Sequence, residues 1–231
     1  MKKILLTGLL CIAIAITASG QKLDKFGSDL AKKTIMGKEI RMPYTDLTSY
    51  YGYIKPGSKP DEVKAGKKMY YIYVWIPIIS PEIGIRMISP VPDNMSPKDK
   101  DYQSAEYMAN KSDNSSYFDT WITFERASGI MKIDDITAKV KTATWTKIDS
   151  NDDSSDMPEQ PSGNKYNSLM RMVADISNPS KALVVGLYRI GFTTYKTGEV
   201  KGGFLAQLGS PIKLPGVLVA VKPEGIVANK K

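Results

Sequence analysis

The segment Tyr70-Tyr-Ile-Tyr-Val-Trp-Ile76 decides the fold class of this chain. Every side chain in it is aliphatic or aromatic, and this composition is typical of a strand whose two faces are both covered. Pro77 and Pro81 follow it. Because proline cannot donate a backbone hydrogen bond, the strand is expected to end or bend there. We interpret the segment as the central strand of a sheet.

Further segments on both sides of this strand are rich in Val, Ile, Thr and aromatic residues and are separated by Gly, Pro, Asn and Asp. They are 50–54, 84–90, 117–126, 139–148, 183–195 and 203–221, and the central segment extends over 69–79. Apolar and polar side chains alternate in 121–126 and 140–146, which predicts strands buried on one face. Seven or eight strands without intervening long helices indicate an all-β fold. We predict a two-sheet antiparallel β-sandwich that occupies 21–231 as a single domain.

Short helices are expected at the N-terminus and in two loops. Leu23, Phe26, Leu30 and Ile35 recur at roughly helical spacing, which predicts an amphipathic helix over 22–36. Residues 97–111 and 126–140 carry weaker helix-like patterns between strands.

The first 20 residues have the order of regions found in bacterial secretory signal peptides. Two lysines precede an uncharged run over 4–16, and Ala18-Ser-Gly20 supplies the small residues that signal peptidase requires. The run is shorter than the roughly 20 residues needed to span a bilayer, so no transmembrane segment is expected. Cleavage after Gly20 would leave an exported chain beginning at Gln21. Lipid attachment at Cys11 is the alternative, although the apolar run continues beyond this cysteine.

The composition excludes most common catalytic centres. The chain has 32 Lys and Arg against 24 Asp and Glu, no His and one Cys. Without histidine there is no Ser-His-Asp triad and no imidazole-bound zinc, and one cysteine cannot form an internal disulfide. Glu125 with Arg126, and Asp134 with Asp135, are interpreted as surface charge rather than as a glycosidase pair. We expect no enzyme, and scattered lysines indicate solubility rather than nucleic-acid binding.

An acidic loop, Asp149-Ser-Asn-Asp-Asp-Ser-Ser-Asp156, follows the strand predicted to end at Ile148. Its oxygen-bearing side chains suit a hard cation such as calcium. The EF-hand template fails, however, because Ser154 stands at the glycine position and Gln160 at that of the bidentate glutamate. Considered alone, the segment favours a solvated acidic loop over a metal site.

Several motifs resemble those of the major surface lipoprotein family of leptospires, which has relatives in marine bacteria. They follow the family's order and nearly its spacing from about Tyr50 to Gly216. The motifs are Tyr50-Tyr-Gly-Tyr-Ile-Lys-Pro-Gly57, the central segment to Pro77, Gly84-Ile-Arg-Met-Ile-Ser-Pro90, Phe118-Asp-Thr-Trp121, Asn164-Lys-Tyr-Asn-Ser-Leu169 and the segment 186–202.

The resemblance implies a jelly-roll sandwich, an outer-membrane or cell-surface location and a bound calcium ion. Carried over position by position, the calcium ligands are Asp119, Thr120, Asp152, Asp153 and the backbone carbonyl of Tyr166, and this set changes the expectation for the acidic loop to a calcium site. The implied role is non-enzymatic adhesion to extracellular matrix proteins (fibronectin, laminin, collagen), plasminogen or surface polysaccharide. The alternative is a structural envelope protein of the periplasm or outer membrane that uses calcium only for stability.

Overall fold

The structure is a computed structural model that describes residues 26–175, 177–196 and 198–230. The predicted signal peptide over 1–20, including Cys11, lies outside the described residues.

The described residues form strands with short helices between them. The strands are β1 Lys33–Ile35, β2 Lys38–Ile40, β3 Asp46–Ile54, β4 Glu62–Lys64, β5 Lys67–Ile76, β6 Glu82–Ile88, β7 Tyr102–Gln103, β8 Trp121–Ala127, β9 Trp145–Asn151, β10 Ser168–Val173, β11 Gly186–Thr193, β12 Gly202–Ser210 and β13 Leu218–Ala220. The helices are α1 Ala105–Asn110, α2 Ile136–Lys139 and α3 Pro223–Ala228, with 3-10 turns at Ile133–Asp135 and Pro179–Lys181.

Two large sheets make up the sandwich. One has five strands in the order β10-β6-β12-β3-β7, and the other has six, in the order β13-β5-β11-β8-β9 with β4 paired to β5. The pairings in both sheets are antiparallel except that between β3 and β7. The chain crosses between the sheets after most of its long strands, as in jelly rolls. The predicted all-β sandwich is therefore confirmed.

The core lies between the two sheets. β5 pairs with β11 over seven residues, and Ile72, Val74 and Ile76 are almost fully buried in it. The facing side chains on β6 include Ile83 and Ile85, which are also inaccessible to solvent. Each such side chain contributes about 1.5 to 3 kcal/mol relative to its exposed state. The central position predicted for the Tyr70–Ile76 segment is confirmed.

The predicted N-terminal helix over 22–36 is wrong for its described part, from Phe26 onward. Residues Lys33–Ile35 form β1, which pairs with β2 through a tight turn at Met36 and Gly37. Both turn residues have positive φ, 51° and 74°, as a two-residue type I′ hairpin turn requires. Leu30 and Ile35 are exposed, so the apolar spacing does not mark a face packed on the core.

Other strand predictions need smaller corrections. Residues 139–144 are not a strand, because α2 and a turn occupy them and β9 begins only at Trp145. The segment predicted over 203–221 is divided into β12 and β13. β10, the edge strand that pairs with β6, was not predicted from the sequence. Helices were correctly expected within 97–111 and 126–140.

Candidate metal centre

Antiparallel pairing brings two of the three predicted ligand segments to one edge of the six-stranded sheet. Ile122 at the start of β8 lies opposite Asn151 at the end of β9. Asp119 and Thr120 lead into β8, and Asp152 and Asp153 follow β9. The two pairs therefore emerge side by side, although more than 30 residues of chain separate them.

The third segment comes from the other sheet. Tyr166 precedes β10, and its carbonyl oxygen accepts hydrogen bonds from the backbone nitrogen of Thr120 at 2.9 Å and from Thr120 Oγ1 at 3.2 Å. Ser168 Oγ lies 2.9 Å from Thr120 Oγ1 and also contacts the carbonyl oxygen of Asp152. These bonds join the two sheets at one end of the sandwich, so all five predicted positions lie together.

Three carboxylates form a compact cluster at this end. One oxygen each from Asp119, Asp152 and Asp153 lies within 4.8 Å of the others. Among the described residues, Asp119 Oδ1 and Asp152 Oδ1 are buried and have no hydrogen-bond partner. A buried polar atom without a partner is costly, by about 1 to 3 kcal/mol, and is rare in folded proteins. The cluster therefore offers acceptor oxygens that the protein itself does not satisfy.

The electrostatics of the cluster disfavour its fully ionised form. Partial burial raises the pKa of the Asp119 carboxyl to about 6, and the charges of Asp153 and Asp152 add to this rise. Burial also raises the pKa of Asp152, with a further contribution from Asp153, and burial raises the pKa of Asp153. A cation among these groups would remove both causes, because it replaces lost hydration and offsets the mutual repulsion.

Two lysines near the cluster were not identified from the sequence as relevant to it. The charges of Lys196 and Lys67 act to lower the pKa of Asp119, but the net direction remains upward. Lys67 donates to the carbonyl oxygen of Thr194 at 3.1 Å and lies over the Trp121 ring at 4.8 Å. Both lysines are far from the ligand motifs in sequence. Only the pairing of β5 with β11, and of β11 with β8, brings them near.

The donor set fits a hard divalent cation. Three carboxylates, a hydroxyl and a backbone carbonyl supply only oxygen, the donor atom that calcium and magnesium prefer. Calcium accepts six to eight oxygens in flexible geometry, and carboxylates can each supply two. This donor set comes from three chain segments, so its spacing is irregular. Calcium tolerates irregular ligand spacing better than magnesium, which requires near-octahedral geometry. The donor set therefore favours calcium.

Asp156, at the end of the acidic loop, belongs to another set of charges. Its Oδ2 lies 3.4 Å from Arg41 Nη1 and 3.3 Å from Arg171 Nη1. The eight-residue acidic segment is therefore divided between the carboxylate cluster and an ion-pair network near the N-terminal hairpin.

Glu125 and Asp135, two of the carboxylates that were considered for catalysis, form ion pairs with different residues. Glu125 is 2% exposed and accepts a hydrogen bond from Arg189 Nε at 2.7 Å, so the interpretation of this residue as surface charge is wrong. Arg126 instead donates to the carbonyl oxygen of Ala182 at 2.9 Å. Asp135 pairs with Lys139 at 2.9 Å, one turn along the chain. Glu125 and Arg126 thus have different partners on opposite faces of β8.

Comparison with known families identifies the chain. None of the helices in the described ranges has the length and apolar character needed to cross a membrane. A search of curated proteins gives no match. The family model of the surface lipoproteins of the Spirochaetales order matches residues 38–219, a span that contains the motifs from Tyr50 to Gly216 and every predicted ligand. The chain therefore belongs to the Lipl32 family of Spirochaetales surface lipoproteins.

Proposed function

We propose that this protein is a non-enzymatic cell-surface module that binds one calcium ion where the two sheets meet. Its ligands are the carboxylates of Asp119, Asp152 and Asp153, the hydroxyl of Thr120 and the carbonyl oxygen of Tyr166. The observation that carries the proposal is the pair of buried, unpartnered oxygens, Asp119 Oδ1 and Asp152 Oδ1, inside a three-carboxylate cluster. Family membership indicates the surface location.

The ion acts as a cross-link in this proposal. The segment before β8, the loop after β9 and the segment before β10 come from both sheets, and one cation holds all three. In the calcium-free protein the carboxylates repel one another across less than 5 Å. An ion that binds only the folded state, and whose concentration is about 100 times its dissociation constant, adds roughly 2.7 kcal/mol to the free energy of unfolding.

Calorimetric titration tests the calcium site. Protein freed of divalent ions with EDTA is titrated with calcium chloride and, separately, with magnesium chloride. We expect one calcium per chain and much weaker magnesium binding in the wild type, and no binding in Asp152→Ala. Glu159→Gln, which removes an exposed carboxylate from the same loop, serves as the matched control and should bind like the wild type. Equal binding by Asp152→Ala and the wild type would refute the site.

Adhesion is the role proposed for the module, and it rests on the family resemblance. The predicted partners are fibronectin, laminin, collagen, plasminogen or surface polysaccharide, and the calcium ion would hold in place the three segments that supply its ligands. Solid-phase binding to each partner, with calcium and with EDTA, tests this role. Proteolysis of intact cells distinguishes a surface adhesin, which the protease would degrade, from a periplasmic envelope protein that uses calcium only for stability, which would survive.

A further inference from the structure

Arg86 is a charged side chain in an otherwise apolar strand, β6, and it is only 4% exposed. It points away from the core between the sheets, since its neighbours Ile85 and Met87 belong to that core. Cross-strand pairing places it in one row with Gln207 on β12, and Gln207 is in turn opposite Ser49 on β3. Its charge is therefore buried under the segments that cover the outer face of the five-stranded sheet.

The partners of Arg86 are neutral. Its Nε donates to Gln207 Oε1 at 2.8 Å, and its Nη2 donates to the same oxygen. Gln207 Nε2 is bound to Ser49 Oγ at 2.8 Å, and the Phe26 ring lies 4.3 Å from the guanidinium carbon. Within the described part of the chain, Nη1 is buried without any hydrogen-bond partner.

Arg189 on β11, in the other sheet, is also a buried arginine, but unlike Arg86 it has a counter-ion. It forms an ion pair with the Glu125 carboxylate at 2.6 Å and lies between the rings of Tyr71 and Trp145. Arg86 has no such carboxylate, and burial lowers its pKa to about 9. A buried charge without a counter-ion is strongly unfavourable, so the folded protein gains if an anion occupies a site beside it.

A cavity of about 230 Å³ lies beside Arg86. Its wall includes Gln207, Ser49 and Tyr51, and two exposed lysines, Lys98 and Lys100, contribute to its rim. One carboxylate, Asp101, also lines it and accepts the backbone N–H of Lys98 at 2.8 Å. Three cationic side chains therefore surround the cavity against one anionic side chain. Its size is below the range of about 300 to 1,000 Å³ that is usual for drug-sized ligands.

We propose that this cavity binds a small tetrahedral oxyanion, a sulfate or phosphate group, against Arg86 with Lys98 and Lys100 at the rim. The oxygens of such a group accept hydrogen bonds from several directions, which suits one guanidinium and two ammonium groups on different chain segments. The anion is either free in solution or the end group of a sulfated or phosphorylated polymer. The site shares no residue with the calcium ligands, so the test of oxyanion binding does not depend on whether calcium binds.

Thermal melting and calorimetric titration with sodium sulfate test the proposal, on protein kept in EDTA and with sodium chloride at matched ionic strength as reference. We expect sulfate to raise the melting temperature of the wild type saturably, whereas chloride does not. Lys98→Ala/Lys100→Ala should weaken sulfate binding by on the order of tenfold. The control, Lys132→Ala/Lys141→Ala, removes two exposed lysines that do not line the cavity and should bind sulfate like the wild type.

Arg86→Met tests the buried charge itself. It should abolish the sulfate-dependent shift, and it should lower the sulfate-free melting temperature less than Arg189→Met, which leaves the buried Glu125 carboxylate with only the longer ion pair to Lys64, at 3.6 Å. If Arg86→Met does not fold, the sulfate affinity of Lys98→Ala/Lys100→Ala decides between the proposal and its rejection. Equal responses to sulfate and chloride, or sulfate binding by Lys98→Ala/Lys100→Ala as tight as that of the wild type, would overturn the proposal. Tighter binding of a sulfated disaccharide than of inorganic sulfate supports a polymer end group as the ligand, and the reverse order supports a free anion.

Discussion

Replacing Asp119 by asparagine is expected to stabilise the calcium-free protein while weakening its response to calcium. The substitution keeps the shape of the side chain and removes one of three mutually repelling charges. Most point substitutions destabilise a protein, typically by about 0.5 to 3 kcal/mol. An increase in stability without calcium is therefore a specific consequence of the partial burial of the charged Asp119 carboxylate and of its repulsion by Asp153 and Asp152.

The size of the effect follows from the ionisation of Asp119. The pKa of its carboxyl rises from 3.8 to about 6. At 1.36 kcal/mol per pKa unit, this difference corresponds to about 3 kcal/mol. Because the carboxyl is only partly buried, solvent screening reduces the effect to on the order of 1 to 2 kcal/mol. For a domain of this size, the calcium-free melting temperature should rise by roughly 2 to 8 °C at pH 7.5.

The same variant should lose much of its stabilisation by calcium. An amide oxygen is a weaker calcium ligand than a carboxylate, and we expect an affinity loss on the order of tenfold. At a calcium concentration 100 times the wild-type dissociation constant, the stabilisation then falls from about 2.7 to about 1.4 kcal/mol.

Differential scanning calorimetry with EDTA and with calcium measures both effects. Glu159→Gln should change neither value. Asp156→Ala should lower stability in both buffers, because it breaks contacts with Arg41 and Arg171, but should keep the full calcium shift. A lower calcium-free melting temperature for Asp119→Asn than for the wild type would show that neither burial nor repulsion of the ionised Asp119 carboxylate destabilises the calcium-free fold. An undiminished calcium shift would show that Asp119 is not a ligand.

Three further predictions concern pH, the N-terminal segment and a close backbone approach. Because folding raises the pKa of Asp119 from 3.8 to about 6, its protonation favours folding fully below pH 4, and this contribution is lost as the pH rises from about 4 through about 6. A pH series of melts in EDTA should show this loss, and calcium should cancel it. Glu82→Ala should lower the free energy of unfolding, measured by urea titration, by about 3 to 5 kcal/mol. The inaccessible Glu82 carboxylate accepts hydrogen bonds from the hydroxyls of Ser28 and Tyr44 and from two backbone N–H groups, which the substitution would leave without a partner. A loss below 1 kcal/mol would contradict this role. Gly202→Ala should lower the free energy of unfolding by more than about 2 kcal/mol in the same assay. Gly202 has a φ of 94°, and a Cβ added there would lie 1.8 Å from the Ser116 carbonyl oxygen. An unchanged free energy of unfolding would show that the two segments can separate.

The long strands could be predicted because their composition reflects their burial. The segment Tyr70–Ile76 is apolar along its length, and its residues are buried except for Tyr73, which is partly buried. The edge strand β10 was missed because its Met and Arg side chains carry no strong strand preference, and only pairing with β6 makes it a strand. The N-terminal helix was predicted wrongly because apolar spacing over 22–36 outweighed the turn at Met36 and Gly37.

The candidate metal centre depends on contacts that local sequence does not contain. Asp119 and Asp152 come together only through the register of β8 against β9, and Tyr166 joins them from the other sheet. The acidic loop alone indicated a solvated segment, and the ligand set came from the family motifs. Arg86 gave no sequence signal, because whether a buried charge has a counter-ion depends on its cross-strand neighbour, here Gln207.

The most direct test of the calcium site is a crystal structure of the protein grown with calcium, analysed by anomalous scattering. One strong peak is expected at the end of the sandwich, with oxygens of Asp119, Thr120, Asp152, Asp153 and the Tyr166 carbonyl about 2.3 to 2.6 Å from it. A map without a peak among these side chains, at a calcium concentration that saturates the calorimetric titration, would show that these residues do not form the calcium site.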